Sequence, residues 1–447
     1  MHIPDGYLSP IVSVGAGVVT VPAWAIAVQK VRVVLNQRTI PLLAIFSAFA
    51  FTIMMFNIPV PGGTTAHAVG GTLIAVVLGP WAAVLGISMA LILQALFFGD
   101  GGILAIFINC MNMGVLLPFV GYYTYRLIAG RSPALSVRRV WAAGIGAYLG
   151  ITAAGLAVGI ELGLQPLLFT ENGHALYSPY GLDSAVPAML VAHAAGASIV
   201  EALVTALGVA YLQKNYPNYL TSFRKIVAGS DISEGQATRI PVWQIVLGSG
   251  VVALVVLLIA GLITGGGDFG KLFGADWSQV NWGDVALMLL IVGIIAAVLV
   301  PLAWFVLPRR IKKWGTIFTG LAVIAPLGLI TPGFAYGEGS AEDVSQAFGY
   351  VPQGLKDFSN IFSAPFSGYN LPFPPFNGDN AQLWQQAIGY EISGIVGILV
   401  LGALVFGLAM LLRRRGSAGS GEDDSAEALA SPPVSRTPTS TSGGAKL

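Results

Sequence analysis

Apolar stretches alternate with short polar breaks along most of the chain. A bilayer core about 30 Å thick needs about 20 mostly apolar residues in a helix, with a range of about 17–25. Such stretches lie near 9–29, 40–57, 60–79, 81–98, 103–128, 140–160, 187–212, 243–263, 284–307, 316–332 and 390–412. Gly79-Pro80 cuts one long apolar run in two, because proline cannot continue the helical ladder. The pattern predicts an all-α polytopic membrane protein with about 11 transmembrane helices.

The polar breaks test that count. Lys and Arg mark cytoplasmic loops. Basic clusters follow the first, fifth, seventh, ninth and last spans, and with Arg436 and Lys446 they place 20 of the 22 basic residues on one side. Lys271 and Lys356 fall on the other. The alternation closes only if 60–98 crosses an even number of times. The N-terminus is then expected outside and the C-terminus in the cytoplasm. The charged stretch 213–241 reads as a cytoplasmic linker between a seven-span domain, 1–212, and a C-terminal membrane domain of about four spans, 242–415. The second domain carries a long outer loop, 333–389, whose LPFPPFNGDN string suits no helix. Residues 416–447 are Ser, Gly, Pro and Ala with an acidic cluster, a tail expected to be disordered.

Composition agrees with the membrane reading. The 447 residues are 55% hydrophobic and 10% charged, with a mean hydropathy of +0.77, against about 25% charged in a soluble domain. A net charge of +1 offers no basic surface to nucleic acid. The single cysteine, Cys110, excludes both a disulfide framework and a thiolate metal cluster. The first positive charge is Lys30, beyond the first apolar run, so no secretory signal is expected and the mature chain is expected to begin at Met1.

That start gives the first ten residues, MHIPDGYLSP, their chemical interest. A free Met1 α-amine, the His2 backbone nitrogen and His2 Nδ1 can close two fused chelate rings around one ion. Three nitrogens in a plane form most of a square-planar site, suited to Ni(II), Cu(II) and low-spin Co(II). Pro4 and Asp5-Gly6 stiffen and turn the arm. His67, about a third of the way into the third span from its outer end, is the best candidate for a fourth ligand. Against this stands the plainer reading of a histidine beside an initiator methionine on a loose terminus. The outward topology of both histidines favours the shared site.

Other polar residues sit within spans, where they are costly and face an interior. Asn109 and Asn112 flank Cys110 and Met111, and helix–helix hydrogen bonding is the first expectation for them. His193 and Glu201 lie eight residues apart, about 12 Å along a helix, too far to touch. Glu201 is the one acid expected deep in a span, and it is as readily a structural partner as a functional group. His174 falls in an outer loop and reads as solvated surface. Ala23/Ala27 and Ala44/Ala48 form small-residue pairs suited to docking another membrane subunit. Gly265 to Lys271 imitates a phosphate-binding loop, but Leu272 stands where Ser or Thr must hold magnesium, and the chain is expected to have no ATPase of its own.

Three stretches, MHIPDGYLSP, GTTAHAVGG and FFGDGGILAIFINCMNMG, resemble the signatures of the cobalt/nickel substrate-specific component of energy-coupling-factor transporters, over roughly residues 1–212. The resemblance implies a six-helix core with one extra N-terminal helix. It also implies a Co(II) or Ni(II) cargo held by the Met1 amine, the His2 backbone and imidazole nitrogens, and His67. The implied partners are a transmembrane coupling component, two ABC-type ATPase subunits and a small accessory membrane subunit in a prokaryotic cell membrane. PLGLITPGFAYGE and GYVPQGL look like a C-terminal extension found on some members. The rival reading is a self-sufficient secondary transporter or channel, which should show internal repeats and several mid-membrane acids. A membrane enzyme using His193 and Glu201 ranks lower, for want of a third group or a cofactor motif.

Overall fold

The computed structural model describes residues 1–32, 39–60, 64–217, 280–306, 325–330, 335–376 and 381–417, with isolated positions at 220, 312, 316, 319–320 and 323. Among them, seven helices are long and apolar enough to cross a membrane: Pro10–Arg32, Pro80–Phe98, Ile106–Ala129, Val137–Leu168, Leu182–Asn215, Trp282–Val306 and Leu383–Leu412. Thr39–Met55 adds a shorter apolar helix of 17 residues. The protein is an all-α polytopic membrane protein, and its described residues form two short β-ladders at loops. The span expected at 243–263 and most of the linker 213–241 lie outside the described residues. Of the span expected at 316–332, mainly a 3-10 turn, Ala325–Ile330, is described.

The chain enters its first span through a cap. The Ser9 hydroxyl accepts Val12 N–H, and Pro10 opens α1 (Pro10–Gly15), where its missing N–H costs nothing. A short break leads to α2 (Gly17–Arg32), and α3 (Thr39–Met55) follows.

The expected span 60–79 is not a spanning helix. A hairpin, β1 (Ile58–Val60) with β2 (Thr64–Ala66), pairs Ile58 opposite Ala66. Residues 67–70 then run without helix into α4 (Gly71–Leu78), which at eight residues is about 12 Å long. Gly70 caps α4 at φ +75, a left-handed conformation that favours glycine. Every residue of α4 is buried. The apolar run therefore reflects burial inside the protein, which a window of hydrophobicity cannot tell from a membrane span. The break at Pro80 is real: Gly79 turns at φ +90 and α5 (Pro80–Leu93) begins with the proline in its first turn.

A π-turn, Gln94–Phe98, ends α5. The next span joins α6 (Ile106–Asn109), a π-turn at Cys110–Leu116, and α7 (Leu117–Ala129). α8 (Val137–Leu168) runs eight residues past its expected end and so carries Glu161 within a spanning helix. Glu201 is thus not the one acid in a span. α9 (Leu182–Ala192), a π-turn at His193–Ala197 and α10 (Ser198–Asn215) make the last span of the first half.

In the second half, α11 (Trp282–Val306) is followed by two short helices, α12 (Ala341–Phe348) and α13 (Gln353–Phe358), and by the long α14 (Leu383–Ser417). Glycines let α14 settle closely on α3: a Cβ at Gly397 would overlap the Phe51 ring, and one at Gly394 would meet Met55 at 2.7 Å. The segment 335–376 lies against the first half, with Gly354 N–H donating to Leu176 C=O at 2.7 Å and Phe366 N–H to Phe97 C=O at 2.8 Å. Ala23, Ala27, Ala44 and Ala48 are all buried by this chain's own packing, so these small-residue pairs do not present a docking face for another subunit.

Candidate metal centre

The N-terminal arm is locked into the protein by its backbone. Ile3 N–H donates to Asn109 Oδ1 at 3.0 Å, and Asn109 Nδ2 donates back to Ile3 C=O at 3.1 Å. Gly102 N–H also reaches Ile3 C=O, at 2.9 Å. Asp5 accepts the N–H groups of Ile103 and Leu104, each at 2.9 Å. Burial raises the Asp5 carboxyl above the usual range, and these amides oppose the shift. Gly6 turns at φ +93 beneath Gly354, so close that a Cβ would strike its carbonyl. Tyr7 hydroxyl donates to Gly339 C=O at 2.8 Å, and Ser9 N–H to Gln165 Oε1 at 3.0 Å. Asn109 is therefore a clamp on the arm, not the helix–helix contact expected for it.

This docking buries both terminal residues. Met1 nitrogen pairs with Glu338 Oε1 at 2.9 Å. His2, 3% exposed, has Nδ1 3.2 Å from Asp100 Oδ1 and Nε2 3.3 Å from Gln94 Oε1. Tyr369 hydroxyl holds the other Asp100 oxygen at 2.6 Å and accepts from Gln94 Nε2 at 3.0 Å. Tyr369 itself stacks on Phe98, ring centroids 4.7 Å apart.

His67 meets the arm at the His2 ring. It follows β2 in the non-helical stretch before α4, and its ring lies 5.0 Å from that of His2, centroid to centroid. Nδ1 lies 3.1 Å from Ala68 C=O, which makes Nδ1 the donor and leaves the Nε2 lone pair open. Burial first, then the Met1 ammonium and His2, hold the imidazole well below its usual pKa and so neutral. Met1, His2, His67, His193, Asp100 and Glu338 all line one cavity of about 60 Å³. Among the described residues no three His, Cys, Asp or Glu side chains converge as a metal cage.

The other polar residues separate. His193 reaches the cavity, with its Nδ1 on Met189 C=O at 2.7 Å. Glu201 binds backbone amides beside His67. Asn112 Nδ2 donates to Glu161 at 2.7 Å, away from the cavity lining. His174 is exposed, with its ring 4.4 Å from that of Tyr350.

The family model for the cobalt uptake substrate-specific transmembrane region matches residues 2–219. The fused nickel transport protein NikMN of Rhodobacter capsulatus is 45% identical over 280 residues, covering 62% of this chain and 77% of that protein. The chain belongs to the CbiM/NikM family. A putative metal transport protein of Methanocaldococcus jannaschii is 49% identical over 51% of this chain and 99% of its own length. The probable fused nickel transport protein LarMN of Lactiplantibacillus plantarum is 36% identical over 91% of this chain and 97% of its own. The match to LarMN runs well into the second half, so this is a CbiM/NikM protein with a fused C-terminal domain, in the membrane of a prokaryote.

Four residues at the centre escaped the sequence reading: Gln94, Asp100, Glu338 and Tyr369. Asp100 carried one legible signal, an acid followed by two glycines at the end of an apolar run. Glu338 and Tyr369 carried none that relates them to residues 1 and 100, because nothing local in a chain reports contacts more than 250 residues apart.

Proposed function

We propose that this protein is the substrate-binding membrane component of an ATP-driven energy-coupling-factor transporter that imports Co(II) or Ni(II). In this reading the ion is held by the Met1 amine, the His2 backbone nitrogen and imidazole, and His67. The observation that carries it is the meeting of a buried N-terminus and two imidazoles, ring centroids 5.0 Å apart, in one cavity. Square-planar nitrogen donors select divalent late transition metals over magnesium or calcium, which prefer oxygen. The relatives' names, nickel and metal transport proteins, support the same cargo.

Loading exchanges contacts. The Met1 amine must leave Glu338 and lose its proton, and the His2 ring must turn from Asp100 so that Nδ1 joins the chelate. His67 needs little change, since it is already neutral and its Nε2 is open. Residues 1–212 form the cargo-binding domain in this proposal, and 242–415 the accessory membrane domain. A coupling protein and two ATPases supply the energy.

The test is Ni(II) and Co(II) binding to the purified full chain, wild type against His67→Ala. The mutant should fold and lose high-affinity binding, because His67 is one ligand on a bundle held by other contacts. Stoichiometric binding by the mutant would remove His67 from the site. Uptake by cells lacking the coupling protein and ATPases separates this function from a self-sufficient transporter, which would still import.

A further inference from the structure

Glu201 is an acid deep within a spanning helix, and nothing in the proposed loading step uses it. It lies in the first turn of α10 and is fully buried. A carboxylate in such a place is costly unless amides or cations face it. Its Oε2 accepts two successive backbone N–H groups, Val69 and Gly70, each at 2.7 Å. Two adjacent amides thus converge on one oxygen, a concave backbone arrangement of the kind that receives anions, and Gly70 turns at φ +75 directly after them. Space is not the reason for glycine there, since a Cβ would meet nothing closer than 3.7 Å.

The Val69 N–H belongs to the same planar peptide as the Ala68 carbonyl, and a trans peptide points the two in opposite directions. That carbonyl is the group that faces His67 Nδ1, at 3.1 Å. One rigid unit thus joins the carboxylate to the imidazole: Glu201 holds the amide side, and the carbonyl side holds the ring. Metal-binding histidines are oriented in this way by a partner on the nitrogen that does not bind the ion.

We propose that Glu201 is a positioning residue for His67, acting through the Ala68–Val69 peptide, so that Nε2 is presented to the ion. The proposal rests on the reading of His67 as a metal ligand. A plain structural role, capping α4 from below, uses the same two hydrogen bonds but makes no demand on the bound metal.

The experiment uses the full chain with Met1 at its start and Ni(II) alone as probe. It measures affinity, the visible absorption of bound Ni(II) and thermal stability for wild type, His67→Ala, Glu201→Leu, Glu201→Gln and Glu201→Asp. Glu201→Leu should weaken binding roughly 10- to 100-fold, as loss of an outer partner does, and shift the absorption toward that of His67→Ala. Glu201→Gln keeps an acceptor oxygen and should recover most of the affinity and the wild-type absorption. Glu201→Asp keeps the charge but sets it back by one methylene. It should lose affinity as the leucine variant does, and it serves where that variant is unstable. Wild-type affinity and absorption in a folded Glu201→Leu or Glu201→Asp, beside a defective His67→Ala, overturns the positioning role alone. Wild-type binding by His67→Ala overturns the His67 ligand and this proposal with it.

Discussion

Replacing Asn109 by leucine tests whether the metal site depends on a docked N-terminal arm. Leucine keeps the shape of asparagine and removes both of its bonds to Ile3. Ile3 C=O retains Gly102 N–H, but Ile3 N–H, in a residue 1% exposed, loses its acceptor. Leaving a buried donor unpaired costs about 1–3 kcal/mol, and the second bond contributes about 0.5–1.5 kcal/mol. The docked arm should therefore weaken by about 2–4 kcal/mol, which lowers apparent metal affinity by up to roughly 30- to 1000-fold, the full loss being reached when the weakened arm is mostly undocked and only the docked arm binds. Asn109 lines no part of the cavity, so the loss would come through the arm and not through a missing ligand. Ni(II) isotherms give the affinity, and amide exchange over residues 1–9 reports the docking. A variant with both wild-type affinity and wild-type protection of the arm would refute the argument.

The site should also depend on where the chain starts. A peptide added ahead of Met1 turns its amine into an amide, which ends the pairing with Glu338 and the five-membered chelate ring. Metal content should fall by orders of magnitude for such a protein, return after proteolytic trimming to Met1, and stay normal with a tag after Leu447. Equal content in all three would sink the terminal-amine site. Ligation needs unprotonated nitrogens, so binding should release protons and weaken as pH falls. The depressed pKa of His67 means its proton is held weakly and competes only well below the ordinary 6.5. The weakening should be read between about pH 8 and about pH 6, and calorimetry in two buffers of different ionisation heat counts the protons released. A flat affinity over that range would argue against nitrogen ligation.

The sequence by itself determined that the chain is a bundle of membrane helices, because about 20 consecutive apolar residues have few other stable fates. It also pointed to His2, since only that position offers an amine, an amide and an imidazole to one ion. It misread 60–79, because an apolar run buried by neighbouring helices has the same composition as one buried by lipid. Here the run holds a hairpin, an irregular turn and the short α4, and that irregularity is what carries His67 to the arm. The end of α8 was misplaced for a related reason: Glu161 reads as a stop until Asn112 is seen to face it. The tertiary structure alone decided which groups surround the N-terminus. Glu338 on the amine, Asp100 and Gln94 on His2, Tyr369 on Asp100 and Glu201 behind His67 come from four separate parts of the chain. Their meeting follows from helix packing, in which close-fitting side chains bring distant segments together, and no local pattern of residues encodes that choice.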